Sequence, residues 1–129
     1  MKSINLKRDV FGSVDDVITR ATAALQAEGF GILTRIDFHS KMKEKLGKEL
    51  PTTVVLGACN PPMAFEAYQR NPDFLSLIPC NVMVCDVGMG KVSVQIAKPT
   101  SMMEVLDNAE LSALAKTADA MLERALERI

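Results

Sequence analysis

At Gly29 the hydrophobic pattern of this chain changes period, and that change limits the fold more than any other feature. Upstream, Val14, Val17, Ile18, Ala21 and Leu25 recur at helical spacing and make one apolar face. Downstream, Phe30, Ile32, Thr34, Ile36 and Phe38 alternate with Gly31, Leu33, Arg35 and Asp37. A stripe of period 3.6 and a stripe of period 2 require different backbones, so a helix followed by a strand is predicted. Gly29 supplies the left-handed residue that ends the helix. Ser13 is placed to cap its start, with Asp15 and Asp16 suited to the positive end of the helix dipole.

The same logic runs through the rest of the chain. Ile4 to Arg8 is a short strand candidate, and Ser40 is the expected cap of a short helix carrying Met42 and Leu46, closed by Gly47. Thr52 to Cys59 reads as a strand in which Val54, Leu56 and Ala58 oppose Val55, Gly57 and Cys59. Asn60 then caps a helix with Pro61 at its first position, where the missing N–H does no harm, and Asn71-Pro72 ends it. Asp73 is expected to cap one further turn through Phe74 and Leu77. Asn81 to Val87 and Lys91 to Ala97 make a hairpin around Gly88-Met89-Gly90, with Val92, Val94 and Ile96 inward and Lys91, Ser93 and Gln95 on a wet face. Asp107 and Glu110 have the spacing of a capping box before a last helix, whose stripe is Leu111, Leu114, Ala118, Met121, Leu122 and Ala125.

The order β-α-β-α-β-α-β-β-α predicts an α+β fold: a mostly antiparallel sheet of about five strands with two main helices packed on one face. Residues 1–129 are expected to form a single domain, because no repeat or linker interrupts them. The other face of such a sheet needs cover, and a homodimer or a ligand is the expected solution.

Composition removes several function classes. Lys and Arg number 15 against 16 Asp and Glu, so steering toward a polyanion is weak, and without Trp and with one Tyr there is little to stack on bases. Nucleic-acid binding is therefore not expected; the lysines 41, 43, 45 and 48 read as a solvated helix face. No apolar run approaches the ~18 residues of a membrane span, and Met1 to Asp9 lacks the apolar stretch of a secretory signal. Three cysteines cannot close a disulfide set and match no zinc spacing, so a cytoplasmic protein with reduced thiols is expected.

Chemistry-bearing residues concentrate at two strand junctions, Gly57-Ala58-Cys59-Asn60-Pro61-Pro62 and Ile78-Pro79-Cys80-Asn81. Cys59 lies just before a helix N-terminus, where exposed N–H groups would favour a thiolate able to act as nucleophile, persulfide carrier or soft-metal ligand. The competing reading is a small apolar filler. Asn60 is accounted for as a cap, Asn81 is not, and Cys85 reads as core. His39 is the lone imidazole and a candidate haem ligand, while Asp37 with Arg35 makes either a polar site or a surface ion pair. No phosphate loop, nucleophile elbow, zincin motif or dinucleotide fingerprint occurs, which turns expectation away from a familiar enzyme.

Gly29-Phe30-Gly31-Ile32-Leu33-Thr34-Arg35-Ile36-Asp37, Lys43-Glu44-Lys45-Leu46-Gly47 and the two Cys-Asn blocks resemble the domain-of-unknown-function family 302 over nearly the whole chain. The resemblance implies a compact α/β domain, a homodimer, and no established activity. The positions carried over are Asp37, Lys45, Gly57, Cys59, Asn60, Pro61, Pro79, Cys80 and Asn81. The chain departs at Arg35 and Lys98, where the resemblance leads one to expect acids; this weighs against a carboxylate metal site and eases the holding of an anion. The expected function is a non-enzymatic small-ligand-binding module at Cys59, Asn60, Cys80, Asn81 and Asp37, with haem one candidate ligand. The alternative is a thiol redox or sulfur-carrier protein using Cys59 and Cys80.

Overall fold

The computed structural model describes residues 4–129; Met1 to Ser3, the first residues of the segment read above for a secretory signal, lie outside the described residues. Strands β1 (Asn5–Phe11), β2 (Gly31–Asp37), β3 (Thr53–Cys59), β4 (Cys80–Gly88) and β5 (Lys91–Ala97) form one sheet in the order β1-β5-β4-β3-β2. Every pairing is antiparallel. Helices α1 (Val14–Ala27), α2 (Phe38–Leu46), α3 (Pro61–Arg70), α4 (Pro99–Met103) and α5 (Ala109–Glu127) complete the fold, with 3-10 turns at Pro72–Leu77 and Glu104–Leu106. The α+β class, the five-stranded antiparallel sheet and its helical cover are as the periodicity predicts.

The main core lies between the sheet and α1 and α5. Val54, Leu56, Val82, Val84, Val92, Val94 and Ile96 project from alternate positions of β3, β4 and β5 and meet Val17, Leu25 and Leu122. Burying a side chain of this size contributes roughly 1.5–3 kcal/mol before conformational entropy is subtracted. The helix ends are tied as well. Arg8 donates to the carbonyls of Leu126 (2.9 Å) and Glu127 (2.6 Å), placing a cation on the negative end of α5. Glu28 receives Arg124 at 2.9 Å and Arg128 at 3.2 Å, joining the end of α1 to the end of α5.

Several local expectations are corrected. β1 runs on to Phe11, because its whole length pairs with β5. The strict alternation of β2 fails at Leu33: Ile32 pairs with Ala58 but Thr34 pairs with Gly57. One extra residue in an antiparallel strand reverses the facing of everything after it. Thr34 and Ile36 therefore lie on the sheet face away from the helices, and Arg35 and Asp37 share the side of Leu56 and Val54. α2 begins at Phe38, so Ser40 lies inside its first turn instead of capping it. Asn71, not Asp73, caps the turn that follows α3, accepting from Asp73 N–H at 3.0 Å. Asn108 replaces Asp107 as the cap of α5, its Oδ1 accepting from Glu110 and Leu111 N–H. Ser93, expected on a wet face, is buried among its sheet neighbours. Cys85 is only partly buried, and lies 3.3 Å from Thr53 Oγ1 on the open face.

Candidate functional site

Cross-strand register brings the two Cys-Asn pairs to one end of the sheet. Cys80 opens β4 directly opposite Ala58, and Asn81 lies opposite Gly57, so Cys59 and Asn60 follow immediately on the neighbouring strand. Gly57 is required there. A Cβ at this position would stand 2.1 Å from Thr34 Oγ1 and 2.5 Å from Pro79 Cγ, closer than real contacts allow. The bare backbone lets the Pro79 ring settle on β3 beside the second pair.

At this end the sheet opens into a cavity of ≈ 190 Å³. Its floor holds Phe30, Ala58, Cys59 and Cys80; one wall is Met63, Ala64 and Ala67 of α3, continued by Phe74, Ser76 and Leu77. The opposite walls are Pro99, Met102 and Met103 of α4 and Leu111, Leu114, Ala115 and Ala118 of α5. No lining side chain carries a formal charge. The space separates the main core from a smaller cluster of Ala67, Phe74, Met103, Leu111 and Ala115.

Local chemistry holds the walls in place. Asn60 Oδ1 accepts from Met63 N–H at 3.2 Å, capping α3, while its amide nitrogen would meet a Cβ at residue 29 at 2.9 Å, so Gly29 serves both the helix end and this approach. Asp119 of α5 accepts from Thr100 N–H at 3.1 Å and from the Thr100 hydroxyl at 2.6 Å, fastening α4 over the cavity. Burial pushes the Cys80 thiol up to about 11, with negative charge on Cys59 and on Asp119 adding to the effect. Burial also raises the Cys59 thiol. Desolvation disfavours the charged form, so both side chains are neutral thiols at pH 7. Of the two readings of Cys59, burial favours the small apolar filler over the thiolate.

Cys59, Asn60, Cys80 and Asn81 thus line one cavity, and two of the other candidates lie elsewhere. Asp37 is bound by Arg35 through Nε at 3.2 Å and through the terminal nitrogen at 2.9 Å, an exposed ion pair outside the cavity. His39 Nδ1 accepts from Thr53 N–H at 3.0 Å, also outside it. Neither Arg35 nor Lys98 lines the cavity. Among the described residues no group of three or more His, Cys, Asp or Glu side chains is arranged to hold a metal ion. No helix there is long and apolar enough to cross a membrane. The wall that sequence reasoning missed is α4. Pro99 followed by Met102-Met103 was its signal, a helix-starting proline before flexible apolar side chains.

Comparison with known proteins agrees with this fold. A family model described as a domain of unknown function, DUF302, matches residues 6–129. A crystal structure of an uncharacterized conserved DUF302 protein from Bacillus stearothermophilus superposes with a TM-score of 0.90 at 26% identity, covering 98% of each chain. No curated protein matches.

Proposed function

The chain belongs to the DUF302 family of domains of unknown function, and from its own cavity we propose a non-enzymatic module, one domain over residues 1–129, that binds a small, largely apolar ligand. One observation carries the reading. A space of ≈ 190 Å³ is walled by apolar side chains without a formal charge, and its few polar groups gather at Cys59-Asn60, Cys80-Asn81 and Ser76. Apolar walls with a few polar anchors are how small-molecule sites are built. An apolar cavity of about 150 Å³ accepts benzene, so the matching ligand has the scale of one ring or a short chain. Asn81 borders the space at its strand position but is exposed, and it shares the face of Gly57, away from the helices.

Haem fits this site poorly. The space is little larger than one that holds benzene, and His39 stands outside it. The thiol redox or sulfur-carrier alternative is disfavoured because burial raises both thiols, and a desolvated thiol is a slow nucleophile. A homodimer belongs to the reading: the helices cover one sheet face, and Ile36 on the other is half exposed beside Val55 and Met83. Unpaired cysteines support a reducing, cytoplasmic setting.

Titration with indole, followed by amide shifts in an NMR spectrum, tests the cavity. Shifts at Cys59, Cys80 and Ala115 are expected, and their loss in Ala115→Phe and in Ala64→Phe, which fill the space from different walls. Shifts confined to the outer surface, or retained in both filled variants, would overturn the reading.

A further inference from the structure

The lining of the cavity is asymmetric. Every side chain that α4 and α5 contribute to it is apolar, Met102, Met103, Leu111 and Ala115 among them. All of its polar side chains come from the segment between Cys59, at the end of β3, and Asn81, near the start of β4. Two of these, Cys59 and Asn81, sit with Gly57 on the strand face away from the helices. Asn60, Ser76 and Cys80 remain. Cys80 lies opposite the fully buried Ala58 and shares the helix-facing side of Val82 and Val84.

The hydrogen-bond inventory of these three is one-sided. Asn60 Oδ1 is taken up by Met63 N–H, and its amide nitrogen donates to no acceptor among the described residues. Neither the Ser76 hydroxyl nor the Cys80 thiol has a hydrogen-bond partner there. Amide N–H and S–H groups donate, and only the hydroxyl accepts well. The lining therefore holds out donors and is short of acceptors.

We propose that the ligand is an uncharged carbonyl compound, a small ketone, ester or amide, lying with its oxygen toward Asn60, Ser76 and Cys80 and its hydrocarbon body toward α4 and α5. The inference deepens the binding reading above and rests on it. A carbonyl oxygen supplies the acceptor that these side chains lack. Charged ligands are opposed, because a charge moved from water into an apolar space needs a partner and no lining side chain carries one. An anion meets a further obstacle in the Asp119 carboxylate, which stands close enough to Cys80 to help keep its thiol protonated. A pure hydrocarbon would cover the donors and give them no partner, at the cost of their desolvation. Hydrogen bonding alone holds the carbonyl, since a desolvated neutral thiol is a slow nucleophile.

Four probes of one shape test this on the full chain by amide shifts in an NMR titration. They are acetophenone, α-methylstyrene with CH2 in place of the oxygen, benzoate and benzamidinium. Acetophenone is expected to shift the cavity residues, and both ions are expected to leave them unmoved. Asn60→Asp keeps the cap on α3 and removes the amide donor; Ser76→Ala and Cys80→Ala remove the other two. At least one of these variants should lower acetophenone affinity, relative to α-methylstyrene, by roughly 3–10-fold, the net worth of one hydrogen bond. Because α-methylstyrene reports the apolar walls, a variant that merely damages the cavity weakens both probes together. Either ion binding as tightly as acetophenone overturns the proposal, as does an affinity ratio unchanged in all three variants. If indole shifts the cavity residues while either of those results holds, this proposal falls alone. If neither indole nor any of the four probes shifts them, the binding reading falls too.

Discussion

Cys80 shows how one residue acquires its chemistry from position. Next to proline in the sequence it reads as a reactive thiol as readily as a buried one, and the decision falls to desolvation. With the thiol pushed from the ordinary 9.0 up to about 11, the folded chain keeps a proton that the unfolded chain loses first. Stability from this group is therefore fully present below pH ~9 and is lost as pH rises toward ~11. At 1.36 kcal/mol per unit the loss is about 3 kcal/mol. Urea unfolding at pH 8, 9.5 and 11 should show a steeper decline for the wild type than for Cys80→Ser; parallel declines would remove the argument. Gly57 was legible only as a strand position and as one of the residues the family resemblance carries over. Its reason, the approach of Thr34 and Pro79, belongs to residues far along the chain.

At the scale of elements, helix starts were legible wherever a local hydrogen bond decides them. Ser13 and Asn60 cap as their sequences say, at 3.1 Å to Asp16 N–H and 3.2 Å to Met63 N–H. Asp73 and Asp107 do not, because a neighbouring asparagine takes the role in each case. Both neighbours offer the same chemistry one or two residues apart, and only the backbone path separates them. Asn60→Ala should cost about 1 kcal/mol in urea unfolding, with Asn60→Asp largely restoring it. Since α3 is a wall of the cavity, the alanine variant should also weaken indole binding. A variant as stable as the wild type would mean that Pro61 and packing alone set the start of α3. The bulge at Leu33 was invisible to periodicity: an alternating pattern gives no sign that the partner strand skips a residue.

For the whole molecule, the sheet has helices on one side and Ser93, Val55, Met83 and Ile36 on the other. If that face joins a second copy, Ile36→Asp places a carboxylate inside the contact. Light scattering with size exclusion should then show a dimer for the wild type and a monomer for the variant; a wild-type monomer at micromolar concentration would exclude the dimer. The alternation of helical and strand periods determined the class, the element order and the inward faces of β3, β5, α1 and α5. Those depend on the solvation of each segment by itself, which the sequence encodes locally. The cavity was decided by tertiary structure. It needs the cross-strand register of β3 with β4 and the seating of α4 on α5 through Thr100 and Asp119. Both are contacts between residues distant in sequence, so neither leaves a local pattern to read. The two Cys-Asn pairs were visible from the first; that they meet at one end of the sheet, beside an uncharged space bordered by three methionines, came only from how the strands and helices meet.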